Sequence, residues 1–190
     1  MPDGRGAVFL DRDGTIIRQV ELLHKVEEMR LLPGAAEAIR LFNGAGLQVV
    51  VVTNQPVVAR GISSEVEVAE MHEALNRKLQ KRTAHIDAFH FCPHHPNATL
   101  ASYRVACECR KPNPGMILQA AAEHDIDLSA SAMSGDTTQD MLTGRRAGVK
   151  TILVRTGHGG HDPWQYDCPP DMSAVNLLDA AHLWLKYLDL

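Results

Sequence analysis

Short aliphatic runs alternate with amphipathic segments along this chain, and that alternation constrains its fold most. Residues 7–10 read AVFL and residues 48–53 read QVVVVT, with further apolar runs at 88–91 and 151–154. Runs this short and this apolar suit strands buried on both faces. Residues 131–134 are read as a fifth strand from their context. After Pro33-Gly34, the residues Ala35, Ala38, Ile39 and Phe42 recur at helical spacing, and Gly44 and Gly46 close the segment. Ser64 and Glu67 form a capping box ahead of Val68, Met71, Leu75 and Leu79 on one face. Residues 114–124 and 138–147 predict two more helices, the second stopped by Gly148, and residues 175–188 predict a last one. Strands alternating with helices predict an α/β fold, a parallel sheet with helices on both faces.

Composition narrows the class. The 190 residues predict one domain over 1–190, and 45% hydrophobic with 22% charged residues exclude a disordered chain. A net charge of −4 argues against a protein that coats nucleic acid or an anionic membrane, so neither is expected as a partner. The aliphatic run 49–52 is far too short to span a bilayer. The N-terminal residues carry no charged-then-apolar leader pattern, so a cytoplasmic location is expected. Four cysteines are too few for a disulfide scaffold. No surplus amphipathic face is evident, so a monomer is the expected state.

In parallel sheets, ligands bind at the C-terminal ends of the strands. Asp11-Arg12-Asp13-Gly14-Thr15 follows the first strand, Thr53-Asn54-Gln55 the second, and Gly135-Asp136 with Thr137 to Asp140 the weak strand. Arg110-Lys111-Pro112 leads into the helix at 114–124. Three carboxylates and a lysine at one edge are what metal-assisted phosphoryl transfer requires. Carboxylates hold a hard cation such as Mg²⁺, the cation and the lysine neutralise phosphoryl oxygens, and a carboxylate can accept the phosphoryl group. In Asp-x-Asp one carboxylate can attack phosphorus. The other can protonate the leaving oxygen and later deprotonate water. Gly14 lets the backbone approach the phosphate.

The cysteines cluster as C-x-H-x12-C-x-C: Cys92, His94, Cys107 and Cys109, with Cys168 apart. Three thiolates and one imidazole suit a closed tetrahedral Zn²⁺ site in a loop at about residues 92–110. His95 competes with His94, because spacing does not separate adjacent rings. The loop runs directly into Arg110 and Lys111.

The segments FLDRDGT, VVVTNQ, CRKP and SGDTTQD resemble the four ordered motifs of the haloacid-dehalogenase-like phosphatases, over residues 8 to about 156. The resemblance implies a Rossmann-like α/β fold, with Asp11 as nucleophile and Asp13 as general acid and base. It implies that Thr53 and Lys111 hold the phosphoryl oxygens, and that Asp11, Asp136 and the backbone carbonyl of Asp13 hold Mg²⁺, with Asp140 in support. The zinc loop and CRKPNPGM resemble a subgroup acting on heptose 1,7-bisphosphate or histidinol phosphate. Within it, His94 is implied as the zinc ligand. The CPHHP start and the long insert before Cys107 are similar to the heptose enzymes. This implies removal of the 7-phosphate from D-glycero-D-manno-heptose 1,7-bisphosphate, in the supply of activated heptose for lipopolysaccharide. Asn54 and Arg110, with Lys111, are the expected substrate contacts. A histidinol-phosphate or other small-metabolite phosphatase is the runner-up, and a non-catalytic zinc module the reading from another class.

The chain departs from the heptose pattern in four places. Pro56-Val57-Val58 replaces Ser-Gly-Ile, a Gly-Tyr pair near Leu22-Leu23 is missing, Ile17 replaces Asn, and Thr137 stands where Lys is common. None removes a catalytic group. No large insertion follows Asp13, so no separate cap domain is expected. His158, His161 and Asp162 are read as a loop rim rather than a second metal site. Trp164 and Tyr166 either pack that loop onto the body or line the rim of the site.

Overall fold

All four residues of the first strand, β1 (Ala7–Leu10), are fully buried, as a strand covered on both faces requires. In the computed structural model, which describes residues 4–163 and 165–190, β1 lies inside a six-stranded sheet. The other strands are β2 (Gln48–Asn54), β3 (Ala88–Cys92), β4 (Ala132–Gly135), β5 (Lys150–Val154) and β6 (Met172–Ala174). Their order is β3-β2-β1-β4-β5-β6, and every pairing is parallel.

Successive residues of the strands feed opposite faces. Val8, Leu10, Val49 and Val51 pack under α1 (Ala35–Gly44), α3 (Glu65–Gln80) and α6 (Leu177–Tyr187). Ala7, Phe9, Val50 and Val52 pack under α4 (Gly115–His124) and the end of α5 (Thr138–Ala147). The helices follow their expected signals. Ser64 and Glu67 close a reciprocal capping box on α3, and Gly148, at φ +80°, ends α5. The expected α/β architecture is therefore the observed one.

Two elements carry no clear sequence signal. Strand β6 has three residues, of which only Ala174 is buried, so it has no apolar run to read. A single helical turn, α2 (Pro56–Ala59), starts at Pro56, whose fixed φ suits a first helical position. This turn occupies the place of the Ser-Gly-Ile departure. Between β1 and α1 the described chain has a 3₁₀ turn at Val26–Glu28 and two isolated bridges, Asp13 to Ile17 and Ile17 to Leu31. Within that segment Arg18 N–H donates to the Arg30 carbonyl and Leu32 N–H to the Ile16 carbonyl, both at 2.9 Å. No helix among the described residues is long and apolar enough to cross a membrane.

The loop after β5 is tied down. Asp162, 1% exposed, accepts hydrogen bonds from the backbone N–H and hydroxyl of Thr138 at 2.7 and 2.8 Å, at the start of α5. It is a helix-capping carboxylate. Tyr166 packs against the small cluster of Met141, Leu153 and Cys168, and Trp164 lies outside the described residues.

On α6, Leu177, Ala180, Ala181 and Trp184 form the buried stripe, and Trp184 is wholly enclosed. Trp184→Ala should cost about 3–5 kcal/mol of stability, measured by urea unfolding, because a large cavity is left in the core. A loss below about 1 kcal/mol would show that α6 docks without that anchor.

Candidate active site

The hydrogen bonding of β1 continues one residue past the strand, since Asp11 N–H donates to the Ser134 carbonyl at 3.0 Å. That contact brings Asp11 beside the end of β4, where Asp136 follows Gly135. After Asp11 the chain turns sharply. Gly14, at φ +81°, donates to the Ile17 carbonyl at 2.8 Å, while Ile16 and Ile17 donate to the Arg12 carbonyl. A Cβ on Gly14 would overlap the Asp136 carboxylate, and so would one on Gly157. These two positions need glycine because the acid sits between them.

Lys111 is 3% exposed and reaches the same point from the connection between β3 and α4. Its Nζ donates to Asp11 Oδ1 at 2.7 Å and to Asp140 Oδ1 at 2.6 Å. Burial alone would lower the pKa of this ammonium, but the charges of Asp11 and then Asp140 overcome that and raise it above its ordinary value. Asp140 is fixed by its helix. Its Oδ2 accepts from the Thr137 hydroxyl and backbone N–H, and the Thr137 hydroxyl in turn caps α5. Thr137, where a lysine is common, thus serves as the N-cap.

Asn54 does for the Lys111 backbone what Asp140 does for its ammonium. The Asn54 Oδ1 accepts from Lys111 N–H at 3.0 Å, and Asn54 Nδ2 donates to the Lys111 carbonyl at 3.2 Å and to Gln139 Oε1 at 3.1 Å. Asn54 lines the crevice, but its amide is engaged in holding the lysine segment. The Lys111–Pro112 peptide is cis. Arg110 also lines the crevice, and its Nη1 donates to the His94 carbonyl at 2.8 Å.

Thr53, 1% exposed, accepts from Gln55 Nε2 at 2.8 Å, which leaves its hydroxyl proton to donate elsewhere. The expected residues Asp11, Asp13, Thr53, Asn54, Arg110, Lys111 and Asp136 all line one crevice at the C-terminal edge of the sheet. Val20, Leu22, Leu23, Pro56 and Val57 make its apolar wall, which is where the chain departs from the heptose pattern.

The donor chemistry fits a hard divalent cation. Asp11, Asp136 and Asp140 each offer an oxygen, all within 4.8 Å of one another. Lys111 and Thr137 already engage both oxygens of Asp140, which leaves Asp11 and Asp136 for a cation. Asp136 Oδ1 is buried with no hydrogen-bond partner among the described residues. Its other oxygen accepts from His158 N–H at 2.7 Å. Burial, then the charges of Asp11 and Asp140, push the Asp136 carboxyl up to about 8. A bound cation opposes each of these causes. Four carboxylates and three cations, Arg12, Arg110 and Lys111, line the crevice, and a divalent ion would offset the acidic surplus.

The cysteine cluster closes at the base of the same edge. Cys92 Sγ lies 3.6 Å from His94 Nδ1 and from Cys107 Sγ, Cys109 Sγ lies 3.4 Å from Cys107 Sγ and from His94 Nδ1, and Cys92 to Cys109 is 3.0 Å. Zn–S bonds of about 2.3 Å put sulfur atoms about 3.8 Å apart on a tetrahedron, so most of these spacings fit a zinc cage. His95 turns away, and its Nδ1 accepts from Asn97 N–H at 3.0 Å. A third group, His90, Glu123 and His124, lies where β3 meets the end of α4, with Glu123 and His124 exposed. A weak contact of 3.7 Å joins His90 to Glu123.

Sequence reasoning gives Arg12 no role of its own. It is 1% exposed, and its guanidinium bonds Asp13, Gln55 and His72. Its position between the two aspartates is the only signal that could have found it.

A family profile described as "HAD-hyrolase-like" matches residues 108–180. The D-glycero-beta-D-manno-heptose-1,7-bisphosphate 7-phosphatase of Photorhabdus laumondii is 42% identical over 158 residues, covering 83% of this chain and 84% of that one. The protein of the same name from Escherichia coli K12 is 40% identical over 152 residues, 80% of each chain. Among solved structures, a D,D-heptose 1,7-bisphosphate phosphatase from B. bronchiseptica, complexed with magnesium and phosphate, superposes with a TM-score of 0.85 at 30% identity. It covers 96% of this chain and 99% of that one. Identity of this order across most of both chains means that this chain belongs to the haloacid-dehalogenase-like phosphatases, within the heptose-1,7-bisphosphate 7-phosphatase family.

Proposed function

We propose that the chain removes the 7-phosphate from D-glycero-D-manno-heptose 1,7-bisphosphate through an aspartyl-phosphate, in the supply of activated heptose for lipopolysaccharide. The observation that carries this is the 2.7 Å contact between Lys111 Nζ and Asp11, two residues 100 positions apart, at the strand edge where Asp136 also ends. Identity of 42% to a named heptose bisphosphate phosphatase supports the substrate.

The chemistry follows from the groups present. Asp11 Oδ1 is held by Lys111, and no bond from another side chain to its Oδ2 is found among the described residues, so Oδ2 serves as the attacking oxygen. It bonds phosphorus as the bond to the sugar oxygen breaks. Lys111 Nζ and the Thr53 hydroxyl donate to the phosphoryl oxygens. Asp13 Oδ1, buried and without a partner among the described residues, delivers a proton to the leaving alkoxide. The same oxygen then takes a proton from the water that cleaves the aspartyl-phosphate. Mg²⁺ held by Asp11, Asp136 and the backbone carbonyl of Asp13 supplies charge neutralisation for the transferred group. Arg110 at the rim receives the distal phosphate that a bisphosphate offers.

Zinc held by Cys92, His94, Cys107 and Cys109 keeps the Arg110–Lys111 segment in place. The chain works as a cytoplasmic monomer on a small sugar, with no nucleic acid or membrane partner. None of its four cysteines is in a disulfide, which suits a reducing compartment.

Asp11→Asn keeps the shape of the side chain and should lower kcat by about 10⁴-fold or more, with an unchanged circular dichroism spectrum. Phosphate release within about tenfold of wild type would rule out Asp11 as the acceptor. Stripping zinc with a strong chelator, followed by assay in excess Mg²⁺, should raise KM by about tenfold or more through loss of loop order. Unchanged kcat and KM in protein shown by metal analysis to lack zinc would break the link between that loop and substrate binding.

A further inference from the structure

His72 lies on α3 among the apolar residues Val68, Met71 and Leu75, and it is 3% exposed. A histidine in that stripe normally reads as core. Its ring does stack on Phe89, with centroids 4.7 Å apart and planes at 11°, and meets Phe91 edge-on at 5.7 Å. Its Nε2, however, lies 3.2 Å from Arg12 Nη1. A guanidinium can only donate, so Nε2 is the acceptor and the ring proton resides on Nδ1. Burial, and then the Arg12 charge, lower the His72 pKa to about 3, so the ring stays neutral.

The rest of the guanidinium points at the reaction. Arg12 Nη2 donates to Gln55 Oε1 at 2.8 Å and lies 2.8 Å from Asp13 Oδ2, while Nε donates to the same Oδ2 at 3.0 Å. Gln55 Nε2 donates to Asp13 Oδ2 at 3.1 Å. Asp13 Oδ2 thus receives donors from Arg12 and Gln55, and Oδ1 has none among the described residues. A proton carried by Asp13 must therefore sit on Oδ1. We propose that His72 is a positioning residue for the phosphatase reaction, locking the Arg12 guanidinium so that Asp13 presents Oδ1 as the proton-transferring oxygen.

The inference rests on the phosphatase reading, and it separates a positioning role from a packing role. A general acid matters for an alkyl phosphate, whose leaving alkoxide needs a proton. It matters little for p-nitrophenyl phosphate, whose leaving phenolate is stable without one. The ratio kcat/KM reports steps up to leaving-group departure, before Asp13 acts on water. His72→Phe keeps the aromatic stack and removes the acceptor, whereas His72→Gln retains an acceptor at a similar reach.

The experiment measures kcat/KM of wild type and both variants on heptose 1,7-bisphosphate and on p-nitrophenyl phosphate, with Mg²⁺ present and folding checked by urea unfolding. His72→Phe should lose about tenfold to a hundredfold on the sugar phosphate and less than about threefold on the aryl phosphate. His72→Gln should stay within about threefold of wild type on both. Equal losses on the two substrates, or no loss, would overturn the assignment. If His72→Phe does not fold, a folded His72→Gln that loses tenfold selectively on the sugar phosphate overturns it too, and its retention of both activities supports it. Wild-type protein that hydrolyses neither the heptose bisphosphate nor any other alkyl phosphate contradicts the phosphatase reading itself and removes this inference with it. Wild-type turnover with an unaltered His72→Phe contradicts only the role of His72.

Discussion

The ammonium of Lys111 stands between Asp11 and Asp140, at 2.7 and 2.6 Å, in a site almost closed to water. A charge in that position is costly without partners, and the two carboxylates supply them. Much of the surrounding chain exists to hold the three groups together. Strand β1 delivers Asp11, and the capping box of α5 fixes Asp140. Asn54, at the end of β2, clasps the Lys111 backbone through both its amide groups.

The parallel sheet makes this convergence possible. Strands β2, β1 and β4 are adjacent, so residues far apart in sequence emerge side by side at one edge. Gly14 and Gly157 leave room for the Asp136 carboxylate, and His158 N–H steadies it. The cysteine cluster ends at Cys109, directly before Arg110 and Lys111. The apolar wall of Val20, Leu22, Leu23 and Val57 forms the side of the crevice farthest in character from these charges.

Local signals make much of this legible in the amino-acid sequence. The aliphatic run at 7–10 is β1, the pattern at 138–147 is α5, and the order of acidic segments after the strands predicts the shared edge. The spacing of three cysteines and a histidine predicts their cluster, although adjacent His94 and His95 separate only in three dimensions. Features that depend on partners are not legible. Strand β6 exists because β5 offers an edge, not because Met172–Ala174 carries a pattern. Asp162 reads as part of a polar rim, yet it caps α5 from 24 residues away. Arg12 and His72 are 60 residues apart, and neither sits in a repeat or spacing that couples them. Buried polar networks of this kind arise from the requirement that every enclosed donor and acceptor find a partner, which sequence spacing does not encode.

In the proposed mechanism Asp11 accepts the phosphoryl group and Asp13 activates the water that releases it. An Asp13→Asn variant is mixed with p-nitrophenyl phosphate carrying labelled phosphate, whose phenolate leaves without a general acid, and is rapidly quenched in acid. The label should be trapped on the peptide containing Asp11 and released by hydroxylamine, as an acyl phosphate requires. Label on any other residue, or turnover with no labelled protein at any quench time, would contradict it.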